Sequence, residues 1–525
     1  MNVASIDWTI LGVLFVMLLA MAVWVNSRCR SVADYLVSGR KVRVWLGMGA
    51  GIAGEIGLIS IVGMCEQGYM RGFGFVLIAI MSMVIMVPMF GIFGFGIERF
   101  RASKAMSVPQ YIEMRYDKRL RIMTGFFNSF AGVMQMSIFP IVGAGFVRVL
   151  VGAPEIAFML GDTAVKSDWV IMGILLSCAC LFTFLGGYIT LIVTNFFQMI
   201  IIMGTFYWLG FNLIQKIGLQ ELWSSLEQQH GLSAFYPFTG EDNGYSVVWF
   251  LWMILMSILL QFSFSPYLQK YAAMDKPKTA SLSYLVGSLF GNGRTFVIMG
   301  LGVAALAMMG PTQPAGIEVN ETLWGAMATP YFLAQHVGPV LMGLLLASLL
   351  FSDISTTDQY ILSWSTSIVN DCICPFKKEA FSPRAHILAV RITIIILCIL
   401  FFLFGLVYSP TMPIWEFLWS CATVICGTGI AMLFGMYWRR ASTAGAYAAV
   451  LTCLILTVAD LGARQVWLHT GHEPSEYYWK PETGAFTTFL IAIGLLIVIS
   501  LMSNKPTKYW DLGKIVKEMN KGQAS

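Results

Sequence analysis

Charge is what this chain is short of. Lys, Arg, Asp and Glu make up 12% of its 525 residues, where a soluble globular domain carries about 25%, so a water-surrounded fold is excluded. Histidine is scarce too. The five histidines are scattered, with no H-E-x-x-H pair, and neither a G-x-S-x-G turn nor a phosphate-binding glycine loop occurs. No polar stretch is long enough to fold as a soluble domain, which argues against an enzyme or a fused signalling module. The ten cysteines form no metal-ligand framework, and Cys178/Cys180 and Cys372/Cys374 read as packing thiols. The net charge of +5 comes from short basic clusters between apolar runs, which encode topology rather than nucleic-acid binding.

What the chain has in abundance is long apolar runs: 57% of its residues are hydrophobic. With about 20 residues per crossing, they read as thirteen helical spans near 8–27, 44–64, 74–98, 120–150, 167–186, 189–211, 247–269, 281–309, 337–369, 385–409, 413–437, 443–463 and 485–503. The long run at 120–150 implies tilt or an extra turn. The first run is followed, not preceded, by arginines, so it reads as a retained span rather than a cleaved leader.

Lys and Arg crowd alternate loops: Arg28, Arg30, Arg40, Lys41 and Arg43; Arg99, Arg101, Lys104, Arg115, Lys118 and Arg119; Lys270, Lys276 and Lys278; Lys377, Lys378 and Arg384; Arg439 and Arg440; Lys505 and Lys508. The opposite loops carry Glu221, Glu227, Glu241, Asp242, Glu318 and Glu321. The positive-inside rule then places the N-terminus outside and the C-terminus inside.

Polar groups at membrane depth are expensive and mark function by default. Three places qualify. In "GAGIAGEIGLISIVG", Gly49–Gly63, small residues surround Glu55. They fit either a close helix interface or an unwound helix whose carbonyls face a cargo. In "SLLFSDISTTDQYILSWSTS", Ser352, Ser355, Thr356, Gln359 and Ser363 fall on one helical stripe. Their oxygens suit a hard cation such as Na⁺, or bond back to the preceding turn. Asp353 and Asp358, about 140° apart around the helix, have no such intrahelical role. The third place is Arg294 in "GSLFGNGRTFVIMG", which either snorkels, pairs with Glu55 or Asp353, or meets an anionic solute.

The motifs resemble those of the sodium:solute symporter family, from end to end. "ADYLVSGRKV", "SVPQYIEMRYDKRLR", "FTFLGGYITLIVTNFFQ", "SPYLQKYAAMDKPKTA" and "MYWRRASTAGAY" are similar to family elements in the same order, over roughly residues 30–450. The resemblance implies an all-α LeuT-like fold, with two inverted five-helix repeats behind an extra N-terminal helix. On that frame residues 1–43 are the extra helix and its loop. Residues 44–211 and 247–437 are the repeats, and 438–525 are peripheral helices and tail.

It also implies site residues. A sodium site would draw on the carbonyls of Ala53, Ile56 and Ser352 and the hydroxyls of Ser355 and Thr356. A solute cavity would be bordered by Ile59, Ser60, Phe264 and Ser265, with Arg294 nearby. Asp358 fits the family's S-T-x-D pattern. The sequence departs from the family where Asn195 replaces the aspartate of T-D-x-x-Q, and where Asp353 stands at a usually apolar position. Glu55 and Asp353 together are expected to offset the charge missing at Asn195.

The resemblance implies a secondary active symporter in the plasma membrane, the inner membrane of a bacterium. It would couple inward Na⁺ movement to uptake of a small polar solute (a sugar, carboxylate or amino acid), with no organic cofactor and with the lipid bilayer as its surroundings. The alternatives are H⁺ coupling, since desolvation favours a protonated carboxylate, and a non-transporting sensor on the same fold.

Overall fold

The computed structural model describes residues 3–26, 38–161, 163–185, 187–231, 235–238, 246–314, 321–377, 381–408, 414–470, 481–503 and 511–520. The Ala33–Val37 part of the first motif lies outside these. So do the cations Arg28, Arg30, Lys378, Lys505 and Lys508 and the acids Glu241, Asp242 and Glu318.

The chain is helical almost throughout. Its elements are α1 (Ser5–Asn26), α2 (Val44–Glu55), α3 (Leu58–Arg71), α4 (Phe73–Met86), α5 (Ile97–Ala102), α6 (Val108–Arg115), α7 (Lys118–Ser137), α8 (Phe139–Val151), α9 (Ser167–Leu185), α10 (Tyr188–Ile217) and α11 (Leu219–His230). They continue as α12 (Val247–Ser263), α13 (Ser265–Ala272), α14 (Pro277–Met309), α15 (Glu321–His336), α16 (Leu341–Ser367), α17 (Pro383–Val407), α18 (Ile414–Tyr437), α19 (Thr443–His469), α20 (Pro481–Met502) and α21 (Leu512–Asn520). A short antiparallel hairpin, Ile156–Leu160 with Thr163–Lys166, precedes α9.

Among the described residues eleven helices are long and apolar enough to cross a membrane. Two bent pairs complete the thirteen spans expected: α2 with α3 at 61° and α12 with α13 at 52°. The long run near 120–150 crosses as α7 and α8, which meet at Ile138.

Burial sorts the helices. The apolar window of α16 is 89% buried, whereas that of α17 is 22% buried and presents leucines and isoleucines outward, as a lipid-facing helix must. α16 therefore runs through the middle, with α2, α9 and α10 against it, and α14 packs along α2 and α3. The last helices, α19 and α20, pack on α18 at the periphery.

The two breaks have local causes. α2 ends at Glu55, and Ile56 (φ −117, ψ 83) and Gly57 (φ −79, ψ 177) run extended into α3. Gly57 is required there, because a methyl on it would lie 2.6 Å from the Thr356 side chain of α16. In the other span Pro266 supplies no N–H to continue the helical ladder, and Phe264 (φ −77, ψ 106) carries the bend.

The segments flanking the half-helices meet at the ends away from the breaks. The Val42 N–H donates to the Ala273 carbonyl (3.2 Å), and the Asp275 N–H donates to the Val42 carbonyl (3.1 Å), forming a parallel bridge. Arg101 donates to the carbonyls of Met274 (2.5 Å) and Asp275 (3.0 Å) beside it. Arg115 likewise reaches the carbonyls of Gly435 and Ala441. Both arginines are buried, so they clasp the backbone on one side of the bundle rather than standing free in loops.

Candidate functional site

A helix leaves its last four carbonyls without intrahelical donors. In α2 these belong to Ile52, Ala53, Gly54 and Glu55. Three are met by side chains from other helices. Arg294 Nη2 of α14 donates to Ile52 O (2.8 Å), Ser355 Oγ of α16 to Ala53 O (2.8 Å), and Thr356 Oγ1 to Gly54 O (3.2 Å). Ser355 Oγ also approaches the Ser352 carbonyl (3.1 Å). Carbonyl and hydroxyl oxygens thus converge where the negative end of α2 points. Ser352, Ser355 and Thr356 are all buried, and Ser352 Oγ has no partner.

The remaining expected residues lie in four places. Asn195 of α10 sits beside Gly54, 3.4 Å from where a methyl on that glycine would lie, with both of its amide atoms unpaired. Asp358 is buried near Tyr188, and its Oδ1 is unpaired. At the second break Phe264 turns its ring edge-on to Tyr360 (5.2 Å between centroids) and Trp364 (5.6 Å) of α16. Ser265 Oγ is buried without a partner. Ile59 is in the apolar core and Ser60 is partly exposed on α3.

Arg294 and Glu55 take partners other than those considered from the sequence. Arg294 pairs with neither Glu55 nor Asp353; its bond is to a carbonyl. Glu55 instead forms an ion pair with Lys270 of α13, joining the two broken spans. Asp353 has other neighbours than Glu55. One residue from Ser352 is a 100° rotation, which turns Asp353 toward Thr357 (3.4 Å) and Cys178 of α9, away from the oxygen cluster.

Lys270, counted among the loop cations in the sequence, is a site residue. It is buried and lies over the Tyr271 ring (4.9 Å). It follows directly on the residue at which the expected span ends, so shifting that edge by one position would have placed it in the membrane. Gln359 was visible as part of the polar stripe, but its bridging role was not. Its Nε2 donates to Pro266 O at the second break (3.1 Å), while its Oε1 lies against Gly54 at the first. Gln198, one turn from Asn195, is buried with both amide atoms unpaired.

Glu55, Lys270 and Arg294 line a cavity of about 60 Å³ between α2, α13 and α14, with Ser288, Asn292 and Thr295 on its α14 wall. A larger cavity of about 410 Å³ lies among α12, α18, α19 and α20 around Trp252 and Asp460. It touches neither break, so size alone does not locate the site.

A model of the sodium:solute symporter family matches residues 35–453. Among curated relatives, the sodium/sialic acid symporter SiaT of Proteus mirabilis is 21% identical, covering 86% of this chain and 89% of its own. A sodium/proline symporter of Staphylococcus aureus is 20% identical, covering 97% and 95%. Among solved structures, a substrate-bound, outward-open Na⁺-coupled sialic acid symporter superposes with a TM-score of 0.75 at 18% identity, covering 97% of this chain and 99% of its own. MhsT in complex with L-phenylalanine superposes with a TM-score of 0.53 at 13% identity, covering 88% and 99%. The fold is LeuT-like.

Proposed function

The chain belongs to the sodium:solute symporter family, and from that premise we propose that it couples inward Na⁺ movement to uptake of a small polar organic solute by alternating access. The observation that carries this reading is the meeting of the Ala53 and Gly54 carbonyls with the Ser355 and Thr356 hydroxyls at the break of α2. With Na⁺ as cargo, the hydroxyl protons turn away and the oxygen lone pairs face the ion, a hard-oxygen shell. The carbonyls of Ser352 and Ile56 are the further donors in this reading. The ion then ties α2 to α16 and favours the arrangement that accepts solute, a coupling that is reciprocal between the two sites.

The solute reading is coarser. The relatives are named for sialic acid and proline, both small polar molecules, and a solute of that class is the one proposed here. An outside N-terminus and an inside C-terminus complete the proposal, with the Val42–Met274 bridge on the cytoplasmic side.

The direct test is uptake of labelled solutes into proteoliposomes with an inward Na⁺ gradient. Accumulation that collapses when the gradient is removed is expected. Accumulation indifferent to both Na⁺ and H⁺ gradients overturns the proposal.

A further inference from the structure

The cavity beside the α2 break holds an uneven set of charges. Lys270 and Arg294 bring two positive charges and Glu55 one negative, and Glu55 is committed to Lys270. Arg294 is fully buried, yet only Nη2 has a partner, and that partner is an uncharged carbonyl. Its Nε and Nη1 have no hydrogen-bond partner, and no carboxylate among the described residues pairs with it. A buried guanidinium without a counter-charge is costly, and at membrane depth such groups pair. Elsewhere in this chain Arg121 shows the usual outcome, held by Asp371 (2.9 Å) and Glu113 (2.5 Å).

We propose that the transported solute is an organic acid whose carboxylate enters this cavity and completes the Arg294 guanidinium through its free N–H groups. This rests on the symport reading above and adds the chemical class of the solute. Guanidinium is the side chain best matched to a carboxylate. The cavity, at about 60 Å³, admits a carboxylate head and a few waters, given the ≳10–15 Å³ that one water requires. The body of the solute then extends toward the two breaks.

The placement also supplies the coupling. Arg294 holds the carbonyl of Ile52, the neighbour of Ala53. A cation at Ala53 and an anion at Arg294 are therefore brought close in a low-dielectric interior, where opposite charges attract strongly. Each ligand raises the affinity of the other by the same factor. The device needs no acid of the protein at the Asn195 position, because the solute brings the negative charge.

The test is thermal unfolding of the purified full-length chain, followed by intrinsic tryptophan fluorescence. The probes are propionate, L-lactate and N-acetylneuraminate, each beside its neutral amide or methyl ester, with and without Na⁺. The expected result is that at least one acid stabilises the protein, more so in Na⁺, and that its neutral counterpart does not. Arg294→Gln should weaken that acid tenfold or more, and Arg294→Lys less. A Na⁺-induced shift retained by Arg294→Gln shows that the variant is folded.

Stabilisation by a neutral form equal to that by its acid overturns the proposal. So does unchanged acid binding in Arg294→Gln, or a Na⁺ shift with no acid effect in the parent chain. Acid binding without any Na⁺ effect would support the carboxylate site and count against the symport reading instead.

Discussion

The first broken span gives up three successive carbonyls, and a different side chain meets each: Arg294 at Ile52, Ser355 at Ala53 and Thr356 at Gly54. At the second, Gln359 donates to Pro266 O in the first turn of α13, and Phe264 sits among the rings of Tyr267, Tyr360 and Trp364. The two bends are of similar angle but different chemistry. One is an oxygen-rich helix end whose donors are mobile hydroxyls, suited to exchange hydrogen bonds for a cation. The other is a proline bend seated in aromatic packing. The two breaks thus share a bend and differ in what surrounds it, and the proposed function gives the ion to the first alone.

The comparison can be broken most severely at the ion pair that joins the halves. Glu55→Gln leaves Lys270 buried and unpaired. A loss of about 2–3 kcal/mol is expected, less than the 3–5 of a fully buried pair because Glu55 is partly exposed. A lowered unfolding midpoint in detergent checks it, and adding Lys270→Met should recover most of the loss.

Next in size is the oxygen side of the first break. Ser355→Ala is expected to raise the Na⁺ concentration for half-maximal uptake roughly tenfold, about 1.4 kcal/mol. Thr356→Val, whose bond to Gly54 is longer, should raise it roughly threefold. An unchanged Na⁺ dependence in both would remove Na⁺ from this break.

The smallest effect sharpens the contrast. Gln359→Leu cuts the side-chain hydrogen bond to Pro266 O, for a stability loss of about 0.5–1.5 kcal/mol. Half-saturation by Na⁺ should stay within about twofold, as Gln359 lies against Gly54 but the carbonyls of Ala53 and Gly54 are met by Ser355 and Thr356. A Na⁺ shift as large as that of Ser355→Ala would mean that Gln359 belongs to the ion site.

Much of this was legible in the residue order. The glycines around Glu55 gave the unwound helix as one of two readings, and the i, i+3, i+4 hydroxyls of α16 pointed to an oxygen-bearing face, because helical period survives folding. The second bend was not read from the residues although Pro266 marks it, since Ser263 and Ser265 beside it carry no charge. Charge pairing was not legible. Arg294, Glu55, Lys270 and Asp353 lie on different helices, and their partners depend on the rotation of each helix about its axis. No local pattern encodes that rotation. Lys270 was hidden by a boundary, as hydropathy blurs the last turn of a span.

The parallel bridge between Val42 and Met274 bears on motion. It joins the segment before α2 to the segment after α13, while the ion pair runs from Glu55, at the break of α2, to Lys270 in the last turn of α13. α2 is thus tied to α13 at its start and at its break. Parting α2 from α13 means rupturing two backbone hydrogen bonds and an ion pair in one event. Swinging them together spares all three contacts. The less costly motion is the joint one.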